Sequence, residues 1–228
     1  GGIISPLLGN IFLHYALDLW VLDWRKKRAN GEVYFVRYAD DLVMGFQREQ
    51  DARAMRTEMS ERLAKFGLEL HPEKTRVIQF GRFAREDRQR QGLSKPETFD
   101  FLGFTHIASI DRAGRFQLKR RTSRKKRRAK LARLRDEVRR RRHDRVPEQH
   151  AWISSVLRGH DRYYAVPTNM RALAQFHRAV ETLWHRWLQR RSQRGRWSKE
   201  TRSAFKDRFP LPEPRIHHPW PTQRFADR

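Results

Sequence analysis

Two adjacent carboxylates, Asp40 and Asp41, stand between two apolar, β-rich runs at residues 33–38 and 42–46. Ala39-Asp40-Asp41 has the length of a tight turn, and a hairpin holds the side chains at its tip rigidly and in solvent. Carboxylate oxygens are the ligands Mg²⁺ takes from a protein, in ones and twos, with substrate phosphates and water completing its octahedron. Ions held in this way activate an attacking hydroxyl and stabilise the leaving oxygen of a phosphoryl transfer. Taken alone, the pair reads more simply as an ordinary acidic turn, because Asp is common in turns.

A second chemistry lies in the charge. The 228 residues carry 51 Lys+Arg against 26 Asp+Glu, a formal net charge of +25. Residues 1–110 contribute +2 and residues 111–228 contribute +23, so one half is nearly neutral and the other is built to meet a polyanion. The densest stretch is Arg120, Arg121, Arg124, Lys125, Lys126, Arg127 and Arg128, and the charge continues through Arg186, Arg190, Arg191, Arg194 and Arg196. An isolated run of this kind is a solvated helix face. Spread over a whole half and interleaved with aromatics, it predicts a nucleic-acid surface whose affinity falls steeply with salt. Trp152, Tyr163, Tyr164, Trp184 and Trp187 are expected mostly to pack the core, with Trp197 the better candidate for stacking on bases.

Composition excludes other classes. With 38% hydrophobic residues, 14 Phe and 7 Trp, the chain is too apolar for a disordered basic tail. No run of about 18 apolar residues occurs, which argues against a membrane span or a signal peptide; a membrane surface is the weaker alternative to nucleic acid as the polyanion, and no membrane partner is expected. The absence of Cys removes disulfides and zinc knuckles and fits a reducing, cytoplasmic setting. His217-His218 has no companion at ligand spacing, so a metal site there is not expected.

The elements that must position these residues are mixed at first and helical later. Leu8, Ile11, Phe12, Tyr15 and Leu19 recur at helical spacing up to a stop at Asn30-Gly31. After the hairpin, Ala52, Met55, Met59, Leu63 and Phe66 form one stripe, with Gly67 where a C-cap belongs. Short strands are predicted at 68–70, 76–80, 99–110 and 116–118, giving an α+β pattern. Beyond them, Leu131, Leu134 and Val138 mark a narrow seam in a basic helix. A further segment runs from Glu148 to Leu157 before Arg158-Gly159, Asn169 is placed to cap a long helix ending near Gln189 with the apolar stripe Leu173, Phe176, Val180, Leu183, Trp184, Trp187 and Leu188, and Ser198 to cap a short one. Pro210, Pro212, Pro214, Pro219 and Pro221 disfavour regular structure in an extended tail.

The segment Phe35-Val36-Arg37-Tyr38-Ala39-Asp40-Asp41-Leu42-Val43 resembles the catalytic hairpin of reverse transcriptases, in the Tyr-Ala-Asp-Asp form found among group II intron enzymes. Four further blocks resemble that family in order. Gly1-Gly2-Ile3-Ile4-Ser5-Pro6-Leu7-Leu8 is similar to the end of the block that opens the helix under nucleotide and template. Gly67-Leu68-Glu69-Leu70-His71-Pro72-Glu73-Lys74-Thr75 is similar to the next palm motif. Phe99-Asp100-Phe101-Leu102-Gly103-Phe104 resembles the primer grip. Leu157-Arg158-Gly159-His160-Asp161-Arg162-Tyr163-Tyr164 resembles the maturase thumb, or domain X.

The resemblance implies a partial reverse-transcriptase palm of antiparallel strands with helices over residues 1–115, a mainly α-helical thumb over 116–209, and a Pro-rich tail over 210–228. It implies that Asp40 binds catalytic Mg²⁺ with Asp41 beside it, and that Tyr38 and Ala39 lie near the nucleotide and primer end. Gly1, Gly2, Ser5 and Pro6 would meet nucleotide or template, although a plain loop before a helix explains the glycines as well. Lys74 would sit by the triphosphate and ease departure of pyrophosphate, or it is a surface lysine at a strand start. Phe101, Leu102 and Gly103 would hold the primer, and their apolar character also suits core packing. The implied partners are an RNA template/DNA primer duplex, deoxynucleoside triphosphates and intron RNA. The family's palm has another catalytic Asp upstream of the first block, and Asp18 and Asp23, on the predicted helix, are not credible substitutes for it. The expectation is therefore of an N-terminally truncated enzyme of the type lacking an endonuclease, inactive alone. The alternative is a non-catalytic RNA-binding maturase that keeps the palm as scaffold.

Overall fold

The computed structural model describes residues 4–191 and 197–220. Gly1, Gly2, Arg194, Arg196 and Pro221 lie outside the described residues. The chain is α+β and divides into two compact units, Gly1–Gln79 and Phe80–Arg228.

In the first unit α1 (Ser5–Leu13) runs through a π-helical turn (His14–Asp18) into α2 (Leu19–Lys27). Pro6 sits in the first turn of α1, where its missing N–H leaves no helical bond unmade. The apolar stripe predicted at α-helical spacing is not the buried face: Leu8, Ile11, Phe12, Tyr15 and Leu19 are exposed, and Ala16, Leu17, Val21 and Trp24 are buried. α1 buries none of its residues, so Leu8, Ile11 and Phe12 are exposed before the π turn begins, and that turn, holding one residue more than an α turn, puts Leu19 off the face counted at 3.6 residues. α2 ends at Lys27, and the following loop is tied by buried Asp51, whose carboxylate accepts the N–H groups of Asn30 and Gly31, both at 3.0 Å.

β1 (Val33–Tyr38) and β2 (Asp41–Phe46) pair antiparallel, with Tyr38 opposite Asp41. The turn is therefore Ala39-Asp40, one residue shorter than the spacing predicts. α3 (Glu49–Ala64) lays Met55, Met59 and Leu63 against Leu17, Val21, Trp24 and Val33. It ends as predicted on Gly67, at φ +68°: Leu68 N–H reaches back to Leu63 O and Gly67 N–H to Ala64 O, which satisfies two carbonyls of the last turn. The strands predicted at 68–70 and 76–80 do not form: among the described residues β1 pairs with β2 alone, and these segments join no ladder. Residues 71–75 instead close a turn, Lys74 and Thr75 N–H both donating to His71 O.

The second unit opens with α4 (Ala84–Arg90) and a three-stranded antiparallel sheet in the order β3 (Thr98–Phe101), β4 (Phe104–Ile110), β5 (Phe116–Thr122). Its helices are α5 (Arg124–Arg140), α6 (Val146–Tyr164), α7 (Met170–Gln189) and α8 (Lys199–Arg208). Leu134, Val138, Ile153, Leu157, Phe176, Val180, Trp184 and Leu188 form one core, so the seam read in α5 and the stripe read in α7 do face it. Trp197 also packs there, its ring 4.7 Å from that of Phe205, which corrects the expectation that it stands free for stacking. α6 runs straight through Arg158-Gly159, since the apolar positions on both sides stay in phase.

Ser198 caps α8 as predicted, accepting Thr201 N–H at 3.2 Å. Asn169 precedes α7 but does not cap it. Its amide is fully buried and turned onto the sheet: Oδ1 accepts Thr122 N–H at 2.9 Å, and Nδ2 donates to Thr122 Oγ1 and Tyr164 O, both at 2.8 Å. Sheet and helices are bonded together at this point, and the charge step near residues 111–120 passes through β5 without marking a structural break. The described part of the proline-rich tail, residues 210–220, lacks regular structure, as its prolines predict, yet it is held on the helices. Phe209 and Leu211 pack on the helical core, and His150, His177 and His218 reach the carbonyls of Pro210, Pro212 and Arg162 at 2.8, 3.0 and 2.7 Å.

Candidate active site

Strand alternation decides what the hairpin tip presents. Val33, Phe35 and Arg37 share the core-facing side of the hairpin with Leu42, Met44 and Phe46, and Tyr34, Val36 and Tyr38 share the open side with Val43 and Asp41. Asp40 and Asp41 are both exposed, and Tyr38, whose side chain stands beside that of Asp41, is 67% exposed.

An arginine on an apolar face needs partners, and Arg37 has them. Its Nε and Nη2 each donate to a carboxylate oxygen of Asp18 at 2.7 Å, and Nη1 donates to Asn10 Oδ1 and to Ala39 O, both at 2.9 Å. The side chains of Arg37 and Asp18 are 11% and 20% exposed. The Arg37 hydrogen bonds hold the Asp18 carboxyl below the ordinary carboxylate range, and the same bonds raise the Arg37 guanidinium above its own. Both oxygens of Asp18 thus accept from Arg37. Ala39 lies at φ 53°, a left-handed conformation that a residue with a Cβ avoids. The pattern of alternation alone, an arginine in the place of a core residue, is the signal from which this cluster was legible.

Adjacent exposed carboxylates on a hairpin suit a divalent ion that keeps water and phosphate oxygens in its shell. Among the described residues no group of three His, Asp or Glu gathers to enclose one, so Asp40 and Asp41 fit such an ion as a partial ligand set. Ser5 and Pro6 begin α1, the helix that supplies Asn10 to the guanidinium. Lys74 is exposed in the turn closed on His71, with no hydrogen bond or ion pair to the tip.

In the second unit Phe101, Leu102 and Gly103 form the tight connection between β3 and β4. Leu102 and Gly103 both have positive φ, 47° and 79°. Tyr163 Oη donates to Leu102 O at 2.7 Å, and a Cβ on Gly103 would come within 2.8 Å of Tyr164 Oη, so only glycine fits under that ring. The two tyrosines of the thumb-like block therefore brace the turn of the primer-grip-like block, a link the sequence does not reveal. Asp100 ties the same strands to α5, accepting from Ser123 Oγ at 2.7 Å.

Arg120 and Arg121 lie on β5, and Arg124, Lys125, Lys126, Arg127 and Arg128 fill the first turns of α5. Three basic residues and no acidic one in a helix's first turn oppose its dipole, an arrangement that a bound polyanion relieves. Arg124, Lys125, Lys126 and Arg128 are exposed, whereas Arg127 is half-buried and donates to Gln175 Oε1 at 2.7 Å. Between α5 and α7 an open groove of about 470 Å³ is floored by Leu131, Ala132 and Leu183 and edged by Arg128, Arg135 and Arg178. No helix among the described residues is long and apolar enough to cross a membrane.

An exposed acidic tip in a nearly neutral unit, with a strongly basic unit after it in the sequence, suits a protein that works on nucleic acid. Residues 1–106 match the family model described as reverse transcriptase (RNA-dependent DNA polymerase), so the match takes in the whole first unit and ends inside β4. Enzymes of that family are nucleotidyltransferases that act on template, primer and deoxynucleoside triphosphates and typically use divalent metals. No curated protein matches the chain.

Proposed function

We propose that the chain carries the palm and thumb of a group II intron reverse transcriptase and maturase, acting in the cytoplasm. Its full-length form extends a DNA primer on an RNA template by Mg²⁺-dependent nucleotidyl transfer and binds intron RNA to assist splicing and mobility. The observation that carries this reading is the exposed Asp40-Asp41 tip, held on a two-stranded hairpin inside the segment that matches the reverse transcriptase family. In it Asp40 and Asp41 hold Mg²⁺, which polarises the phosphoryl oxygens in the transfer. Tyr38 and Ala39 line the nucleotide and primer end, with Gly1, Gly2, Ser5 and Pro6 toward the template, and Lys74 serves the departing pyrophosphate. Phe101, Leu102 and Gly103 hold the primer, and the basic residues of β5 and α5 grip the duplex and intron RNA. The thumb-like block of α6 supports the intron assignment.

The test is RNA-templated extension of a DNA primer by the full-length protein. Asp40→Asn is expected to abolish cDNA synthesis and leave RNA binding intact, because the carboxylate serves chemistry and the basic unit serves grip. Loss of both together would contradict that division. A second reading, a non-catalytic RNA-binding maturase, draws support from the lack of a third metal-ligating side chain near the tip among the described residues. Cofactor splicing without cDNA synthesis in the full-length protein would favour it.

A further inference from the structure

Among the described residues three non-glycine residues have a positive φ: Ala39, Leu102 and Thr168. Side-chain donors meet the carbonyls of the first two, and the third bonds the sheet through its own hydroxyl. Arg37 donates to Ala39 O, Tyr163 donates to Leu102 O, and the Thr168 hydroxyl meets the N–H of Arg120 at 3.0 Å. Strained backbone persists only where its surroundings over-determine it. At Ala39 the over-determination comes from one guanidinium. A planar fork offers five N–H donors in fixed directions, and here four of them are directed at Asp18, Asn10 and Ala39 O, none at Asp40 or Asp41.

Resting on the reading of Asp40-Asp41 as the metal-binding pair, we propose that Arg37 is the positioning residue of that pair. With Asp18 and Asn10 as its supports, it pins Ala39 in the left-handed conformation and so fixes where the next two carboxylates project. Charge alone does not perform this role. A lysine ammonium keeps the attraction to Asp18 but lacks the fork that reaches the helix and the turn carbonyl together. Nor is the role one of general packing, since the hydrophobic residues around the hairpin are contributed by Val33, Phe35, Leu42 and Met44.

The experiment uses the ¹⁵N-labelled chain and Mn²⁺ as the probe, reading paramagnetic broadening at the amides of residues 39–42. The Asp40→Asn/Asp41→Asn double variant reports on the metal site itself. Arg37→Ala, Arg37→Lys and Asp18→Asn report on the clamp, with Asp18→Asn standing in should Arg37→Ala fail to fold. Each clamp variant is expected to shift the metal-free amides of Ala39, Asp40 and Asp41 and raise the Mn²⁺ midpoint by about three- to tenfold, as loss of a charged hydrogen bond to the turn would. The amides of Met55 and Leu63 in the core should stay in place. Unmoved turn amides and an unchanged midpoint in the clamp variants would overturn the proposal, and so would full recovery of the midpoint by Arg37→Lys. Broadening that survives in the double variant would overturn the metal reading instead, and the metal-free shifts would still judge the clamp.

Discussion

Replacing Asn169 by Ala tests whether the sheet carrying the primer-grip-like turn and the helices α6 and α7 unfold as one body. Asn169 is fully buried, and its amide makes three hydrogen bonds that join β5 to the end of α6. Tyr164 O keeps a second donor in Val166 N–H, at 2.8 Å, but Thr122 is buried and its N–H loses its partner. One orphaned buried donor costs about 1–3 kcal/mol and each of the other lost bonds about 1 kcal/mol, so the substitution should destabilise by roughly 3–5 kcal/mol. Native-state hydrogen exchange on the intact chain is the assay, because a global melt of two units is not a single transition. Amides in β3–β5 and in α6–α7 should lose protection together, by about 100-fold or more. Thr122→Val, which keeps the backbone donor but removes the hydroxyl, should show coupling to Asn169→Ala in a double-mutant cycle. Loss of protection confined to β5, or a total effect below about 1 kcal/mol, would refute the idea that sheet and helices form one cooperative unit.

Further outcomes follow from individual contacts. The Asp18 carboxyl is depressed in the folded chain by its hydrogen bonds from Arg37, so the clamp's contribution is fully present above the unfolded pKa and is lost as pH falls through the depressed folded value. An acid titration followed at the Ala39 and Asp40 amides should therefore leave the turn intact at pH 5 and release it only below the ordinary Asp range. Burial pushes the Asp161 carboxyl up, but hydrogen bonds with His160 and His177 outweigh it and leave it below the ordinary value. His177 also faces Pro212 O, so His177→Ala should raise hydrogen exchange at residues 211–218 before it affects the sheet. Neutralising Arg124, Lys125, Arg127 and Arg128 to Gln should weaken RNA binding and flatten its dependence on log salt by up to about 3 units on single strands, measured by filter binding across salt. Unchanged binding would place the RNA surface elsewhere.

Much of this molecule is legible in the sequence because its signals are local. The hairpin is written in two apolar runs around an acidic turn, α3 in a stripe that stops at Gly67, and α7 in an apolar stripe whose Phe176, Val180, Trp184 and Leu188 enter the core. The failures share a different cause, which is distance along the chain. The strands read at 68–70 and 76–80 have the composition of β structure, but they find no pairing strand among the described residues. Asn169 has the type and place of a helix cap, and Thr122, 47 residues away, competes for its amide and wins. Tyr163 against Leu102 and Arg37 against Asp18 are likewise pairings between distant segments, invisible to spacing rules. Even there one trace survives: an arginine at a strand position whose neighbours two residues away face the core announces a buried partner without naming it.

The π turn at His14–Asp18 sets the phase of the clamp. On an uninterrupted α-helix, residues eight apart lie about 80° from each other around the axis. One extra residue in the turn takes up about 100° and brings Asn10 and Asp18 nearly into line, where a single guanidinium meets both. The helix therefore counts residues as well as presenting them. Deleting one residue between His14 and Asp18 would leave these two supports seven apart on a plain α-helix, about 20° from each other, so the clamp should survive it, whereas forcing the present eight-residue spacing into an uninterrupted α-helix should part them and free the acidic turn.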